Sequence, residues 1–208
     1  MRGLRRSAMT AMMPLLLLVV LVLFYEALSL ADNVTFVVVN TTNYTIFPRV
    51  VGAGSGGPTM DFAAVPPKGS VRLSFKRDSH FCLFFATDCS QDESGRLIEC
   101  SSGNCPNEGC TSVDNPVATM IYYDNGTVTA SGPFGYNFAV RAEFLSADGK
   151  CPPVSCDIPL SKCPKGLRML EESSGSLVAC KAPDKVPYCQ GGAATSCFDG
   201  AILTITVS

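Results

Sequence analysis

Eleven cysteines constrain this chain more than any other feature, and all of them fall after residue 81 of 208. A reducing compartment would make them metal ligands or nucleophiles, an oxidising one disulfides. The N-terminus points to the second. Arg2, Arg5 and Arg6 precede an unbroken apolar run from Leu15 to Tyr25, and Ser29-Leu30-Ala31 puts small residues at the −3 and −1 positions of a cleavage site. The run is 11 residues long, short of the ~18 a spanning helix needs. Residues 1–31 read as a cleaved secretory signal peptide and 32–208 as one secreted, extracellular domain with no membrane span after cleavage. Four sequons agree with export and make Asn33, Asn40, Asn43 and Asn125 N-glycosylation candidates.

Losing the leader removes three arginines and one glutamate, leaving 13 Lys+Arg against 17 Asp+Glu, about −4. The basic excess of a nucleic-acid binder is missing. At 16% charged residues the chain is also unlike a disordered acidic tail. Its length suffices to bury a core.

The apolar pattern is that of strands. Val34 to Val39 is β-branched and aromatic, and Tyr44 to Phe47 follows a turn, with Pro48 expected to close the second strand. Ser70 to Phe75 alternates, Phe81 to Ala86 is a solid apolar run, and Ala118 to Tyr123, Asn137 to Phe144 and Ala201 to Val207 are further strands. Asn125-Gly126 marks a hairpin turn. Only Lys165 to Glu172 could turn helically, and then briefly. Short strands broken by Gly, Pro and Asn indicate an all-β sandwich or barrel. The stretches 89–110 and 151–197 have little apolar content, so crosslinks must hold them. Sequence alone leaves the connectivity open.

Several motifs then resemble one family, the thaumatin-like proteins, which include osmotins and plant pathogenesis-related proteins. Thr35-Phe-Val-Val-Val-Asn40 with Tyr44-Thr-Ile-Phe47 is similar to its first hairpin. Thr87-Asp88-Cys89, Ser94-Gly95-Arg96, Cys100 and Gly103-Asn104-Cys105 are similar to its T-[GD]-C…SG-G…C…GDC segment, and Gly135-Tyr136-Asn137 to its GFN. The resemblance implies a thaumatin-like β-sandwich with crosslinked loops, the larger cysteine-rich lobe reduced. It also implies the pairs Cys89–Cys100, Cys105–Cys110, Cys151–Cys197, Cys156–Cys189 and Cys163–Cys180. Cys82 is left unpaired. It reads as a buried thiol in an apolar strand, with an intermolecular bridge as the alternative; without that bridge the chain is expected to be a monomer. The family's tie between first and last strands is absent, since Thr42 and the tail after Val207 carry no cysteine.

Chemistry is sparse. His80 is the only histidine, no Gly-x-Ser-x-Gly elbow accompanies it, and a His80–Cys82 pair lacks an orienting third group. Export argues against a zinc ribbon. Gly52 to Gly57 lacks the lysine of a phosphate loop, so no metal or cofactor is expected. Many relatives carry an acidic cleft linked to β-1,3-glucan binding and weak hydrolysis. The matching positions here fall on Ile121, Thr129 and Phe134, leaving Asp124 and Glu143 as the carboxylates nearby. Hydrolysis by a carboxylate pair is therefore not expected. What remains is binding. Tyr122, Tyr123, Phe134, Tyr136 and Phe138 are candidates for stacking on a ligand, although such aromatics are more often simply core. The resemblance implies a defence role, with cell-wall polysaccharide or a microbial protein as partner, in the apoplast or wall of a plant, and glycosidase (xylanase) inhibition as one form of it. A weak glucanase with a displaced acidic pair and a structural wall protein are the alternatives.

Overall fold

The structure, a computed structural model, describes residues 33–52, 60–104, 116–145, 152–172, 174–182 and 202–208. The expected leader, most of the Gly52 to Gly57 loop, and Cys105, Cys110, Cys151, Cys189 and Cys197 lie outside them. Val34–Ser208 forms one compact unit. Its strands are β1 (Asn33–Asn40), β2 (Ile46–Gly52), β3 (Met60–Asp61), β4 (Ser70–Lys76), β5 (His80–Thr87), β6 (Ser90–Gln91), β7 (Leu97–Ile98) and β8 (Met120–Asp124). Then follow β9 (Thr127–Ser131), β10 (Gly135–Tyr136), β11 (Val140–Leu145), β12 (Val154–Cys156), β13 (Arg168–Leu170), β14 (Leu177–Lys181) and β15 (Ile202–Val207). Two single 3-10 turns, at Leu160–Lys162 and Lys165–Leu167, are the helical elements among the described residues.

Two five-stranded sheets form the body. One has the order β12-β11-β15-β1-β4, the other β3-β2-β5-β8-β9. Alternation in the sequence explains their facing. Along β1 every second residue is buried, with Val34, Phe36 and Val38 pointing inward, and β15 repeats this with Leu203, Ile205 and Val207. They meet Ile46, Val50, Leu83, Phe85 and Ile121 of the other sheet in one continuous core. The fold is the all-β sandwich that the strand pattern predicts.

The first and last strands lie side by side in parallel, from Thr35 opposite Ile202 to Asn40 opposite Val207. Where relatives are expected to carry a disulfide, Thr41 gives both its N–H (2.9 Å) and its hydroxyl (2.8 Å) to the Val207 carbonyl. The adjoining turn depends on Asn40, which is fully buried. Its Nδ2 faces the carbonyls of Tyr44, Val65 and Pro66, and its Oδ1 accepts from the N–H and hydroxyl of Thr42. The amide of Asn40, one of the four candidate glycan acceptors, is thus committed to the fold.

Pro48 does not close β2 as expected. Its carbonyl accepts the Phe62 N–H, so its nitrogen faces the β3 side, beyond the two residues that pair there. The ladder to β5 continues unbroken from Ile46 to Gly52. The missing donor is thus spent on an almost empty edge. The Asn125-Gly126 turn is as expected, with φ of +43° and +86° joining β8 to β9, the backbone that a two-residue primed turn requires.

Candidate functional site

Of the five aromatic candidates, three are core. Tyr123 is 1% exposed, lies 5.0 Å from Phe81 and 5.5 Å from Phe36 between ring centroids, and donates its hydroxyl to the Arg77 carbonyl. Tyr136 is fully buried against Cys163 and Cys180. Phe138 belongs to the central core. A ring without an accessible face cannot stack on a ligand, so Tyr123 and Tyr136 leave the candidate list, whereas Phe138 also lines the cleft described next. Tyr122 is half-buried on the outer face beside Cys82, its hydroxyl 3.2 Å from Met120 Sδ, and burial raises its phenol above the ordinary range. Phe134 keeps an exposed ring. Neither of these two lines the cleft described next.

A cleft of about 430 Å³, measured out to open solvent, lies where the sandwich meets the crosslinked segment of β13 and β14. Its inner wall is Thr87, Asn137 and Phe138, its outer wall Leu160, Leu177 and Val178. The exposed Tyr44 ring stands at the rim. Two carboxylates open onto it, Asp88 and Glu171. Asp88 follows the end of β5 in a left-handed conformation (φ +48°), and Glu171 is fixed by the Ser101 hydroxyl at 3.2 Å and by the Ser174 hydroxyl.

The Gly135-Tyr136-Asn137 segment explains why this cleft has its shape. Gly135 has φ +139°, and a Cβ there would lie 2.0 Å from the Cys180 carbonyl oxygen. Only glycine allows β10 to approach β14 so closely. Tyr136, paired with Cys180, then fills the space beneath the crosslink. Asn137 donates to the Phe85 carbonyl (2.7 Å) and the Ser102 hydroxyl (3.0 Å) and accepts from the Thr119 N–H (3.2 Å). It therefore joins the end of β5, the loop after Cys100 and the approach to β8. That duty keeps 137–139 out of the strand expected from Asn137, and β11 begins at Val140.

Cys89–Cys100 and Cys163–Cys180 are disulfides, and Cys156 is also disulfide-bonded. Cys82 carries a free thiol, and burial pushes its pKa up to about 12. His80 pairs with Asp124 at 2.5 Å in solvent rather than with Cys82. Glu143 pairs with Arg141 at 2.6 Å on the other sheet. Ile121 is wholly buried in the core. A deeply buried charge lies elsewhere: Arg49, 2% exposed, donates to Asp61 (2.7 Å) and to the Leu97 carbonyl (3.2 Å), while Asp61 accepts the Leu97 N–H. Among the described residues no group of three or more His, Cys, Asp or Glu is placed to hold a metal ion.

Sequence reasoning points to Tyr122, Tyr123 and the Phe134 to Phe138 stretch as the binding wall; of these Asn137 and Phe138 line this cleft, and Tyr44, Asp88 and Glu171 were missed. Asp88 stands inside the Thr87-Asp88-Cys89 motif, which was the available signal. Glu171 lies in a segment with no periodicity to single it out.

No family profile matches the sequence. Two curated relatives do: a thaumatin-like protein 1 of Prunus persica, 26% identical over 172 residues, and one of Arabidopsis thaliana, 29% identical over 204 residues. The matches take in 73% and 84% of this chain, and 65% and 74% of the relatives' lengths. Among solved structures, the thaumatin-like xylanase inhibitor TLXI has a TM-score of 0.52 at 17% identity, over 83% of this chain and 97% of that one. The fold, the ordered motifs and the curated relatives agree, and together they support a divergent member of the thaumatin-like proteins.

Proposed function

We propose that this protein is a secreted, non-catalytic binding protein of the defence type. The observation that supports this most is the fate of the carboxylates: Ile121 occupies a core position where relatives are expected to carry a glutamate, and Asp124 and Glu143 sit on different sheets, one paired with His80 and the other with Arg141. Such an arrangement offers neither the acid nor the opposed nucleophile that glycoside cleavage needs. A rigid crosslinked body with a small, partly apolar cleft suits recognition instead. The same fold carries a xylanase inhibitor, so a secreted microbial glycosidase is the first partner to test and wall glycan the second.

Purified secreted protein is titrated into a microbial xylanase assay and, in parallel, sedimented with insoluble wall glucan. Saturable inhibition or saturable co-sedimentation is expected. Neither, at micromolar protein, would leave a structural wall protein as the better reading.

A second reading has its own observation. Asp88 and Glu171 both open onto the cleft and form the only acidic pair there among the described residues. A weak glucanase would use these two, with Asp88→Asn and Glu171→Gln each abolishing turnover.

A further inference from the structure

The four sequons are chemically equivalent in the sequence and unequal in the fold. We propose that the protein carries N-linked glycans on Asn43 and Asn125 and that Asn40 stays bare; the assignment rests on the export reading. Transfer makes a bond from the asparagine Nδ2 to C1 of an oligosaccharide carried on a lipid pyrophosphate. The C1–O bond to the pyrophosphate breaks, the amide loses one proton, and the lipid pyrophosphate leaves. The product amide keeps a single N–H. It must also have an open path for a large polar group.

Asn40 meets neither condition. It is fully buried, its two N–H bonds face three backbone carbonyls, and its Oδ1 holds the Thr42 N–H and hydroxyl. A chain modified there loses part of this network and has no space for the sugar, so it does not reach this fold. Its sequon threonine is also engaged, since the Thr42 hydroxyl bonds to Asn40 itself.

Asn43 is exposed in the turn between β1 and β2, three residues along from Asn40. Modification at Asn43 is compatible with the native turn, and modification at Asn40 is not. Asn43 also precedes Tyr44, the ring at the cleft rim, so this glycan is rooted beside the mouth of the proposed binding site. Asn125 is exposed at the first position of the β8–β9 turn, where φ is +43° and the chain reverses toward solvent. Neither substitution displaces a buried group.

The full chain, with its leader, is expressed in a eukaryotic secretory host and the soluble secreted protein is collected. Glycans are removed enzymatically in heavy-oxygen water, which converts each occupied asparagine to labelled aspartate, and peptides are mapped. Label at Asn43 and Asn125 without label at Asn40 is the expected result. Label at Asn40 in soluble protein overturns the exclusion, and absence of label at Asn43 or Asn125 overturns that site. Thr45→Ala and Thr127→Ala should each remove one glycan from the intact mass while leaving the asparagines in place. Inhibition or glucan sedimentation is scored separately, so failure of the binding reading does not alter the glycan result.

Discussion

Both ends of the Asn137 amide are occupied inside the protein, which makes this residue the most informative single truncation. Asn137→Ala strands the Phe85 carbonyl and the Thr119 N–H in a dry interior. A loss of about 2–4 kcal/mol is predicted, from two buried groups left without partners. Urea denaturation followed by fluorescence measures it. Cys82 provides a second prediction. With the thiol pushed up to about 12 by burial, almost no thiolate exists in the native state at neutral pH, and thiolate is the reactive form. Iodoacetamide should leave the native protein unmodified at pH 7 and, after denaturation without reductant, label about one thiol per chain, in the Cys82 peptide. Several labelled peptides would contradict the disulfide framework. The linkage has a definite sign. Cys82 in the unfolded chain ionises near its ordinary value, and in the folded chain only near 12, so its contribution to stability is complete below about pH 9 and lost as pH rises toward 12.

At the scale of elements, the buried Arg49–Asp61 pair ties β2 and β3 to Leu97 of β7, next to the Cys89–Cys100 crosslink. Removing one partner leaves a charge in a poor dielectric. Asp61→Asn should destabilise by about 3 kcal/mol, near the lower end for breaking a buried pair. The double variant Arg49→Met with Asp61→Leu should recover much of that loss, and a thermal melt series separates the two outcomes. The strands themselves were largely readable in advance. β1, β4, β5 and β15 follow from alternation or apolar runs, and the β8–β9 turn from Asn125-Gly126. β9 was harder to delimit because Thr127, Thr129 and Ser131 present a polar face and Val128 and Ala130 are too few to announce a strand. β13 and β14 were missed for a different reason. They are held through Cys163–Cys180 and Tyr136, and crosslinking leaves no period in a sequence.

For the whole molecule, the sandwich was legible and the site only in part. Tyr123, Tyr136 and Phe138 carry the same side-chain chemistry whether they line a cleft or fill a core, and only the meeting of distant strands decides. The cleft itself is assembled from five separate stretches around Tyr44, Thr87, Asn137, Leu160 and Leu177, which no local motif could bring together. The resemblance did identify the segments Thr87-Asp88-Cys89 and Gly135-Tyr136-Asn137 that shape it. The geometry adds the reason: one glycine for close approach and one asparagine as a buried polar joint.

The central claim is that this scaffold binds without cutting. Reducing-end release from soluble β-1,3-glucan, followed over hours with purified secreted protein, tests it most directly. The account predicts no release above a buffer blank, for the wild type and for Asp88→Asn and Glu171→Gln alike. Sustained release by the wild type that either substitution abolishes would contradict it and make the cleft an active site.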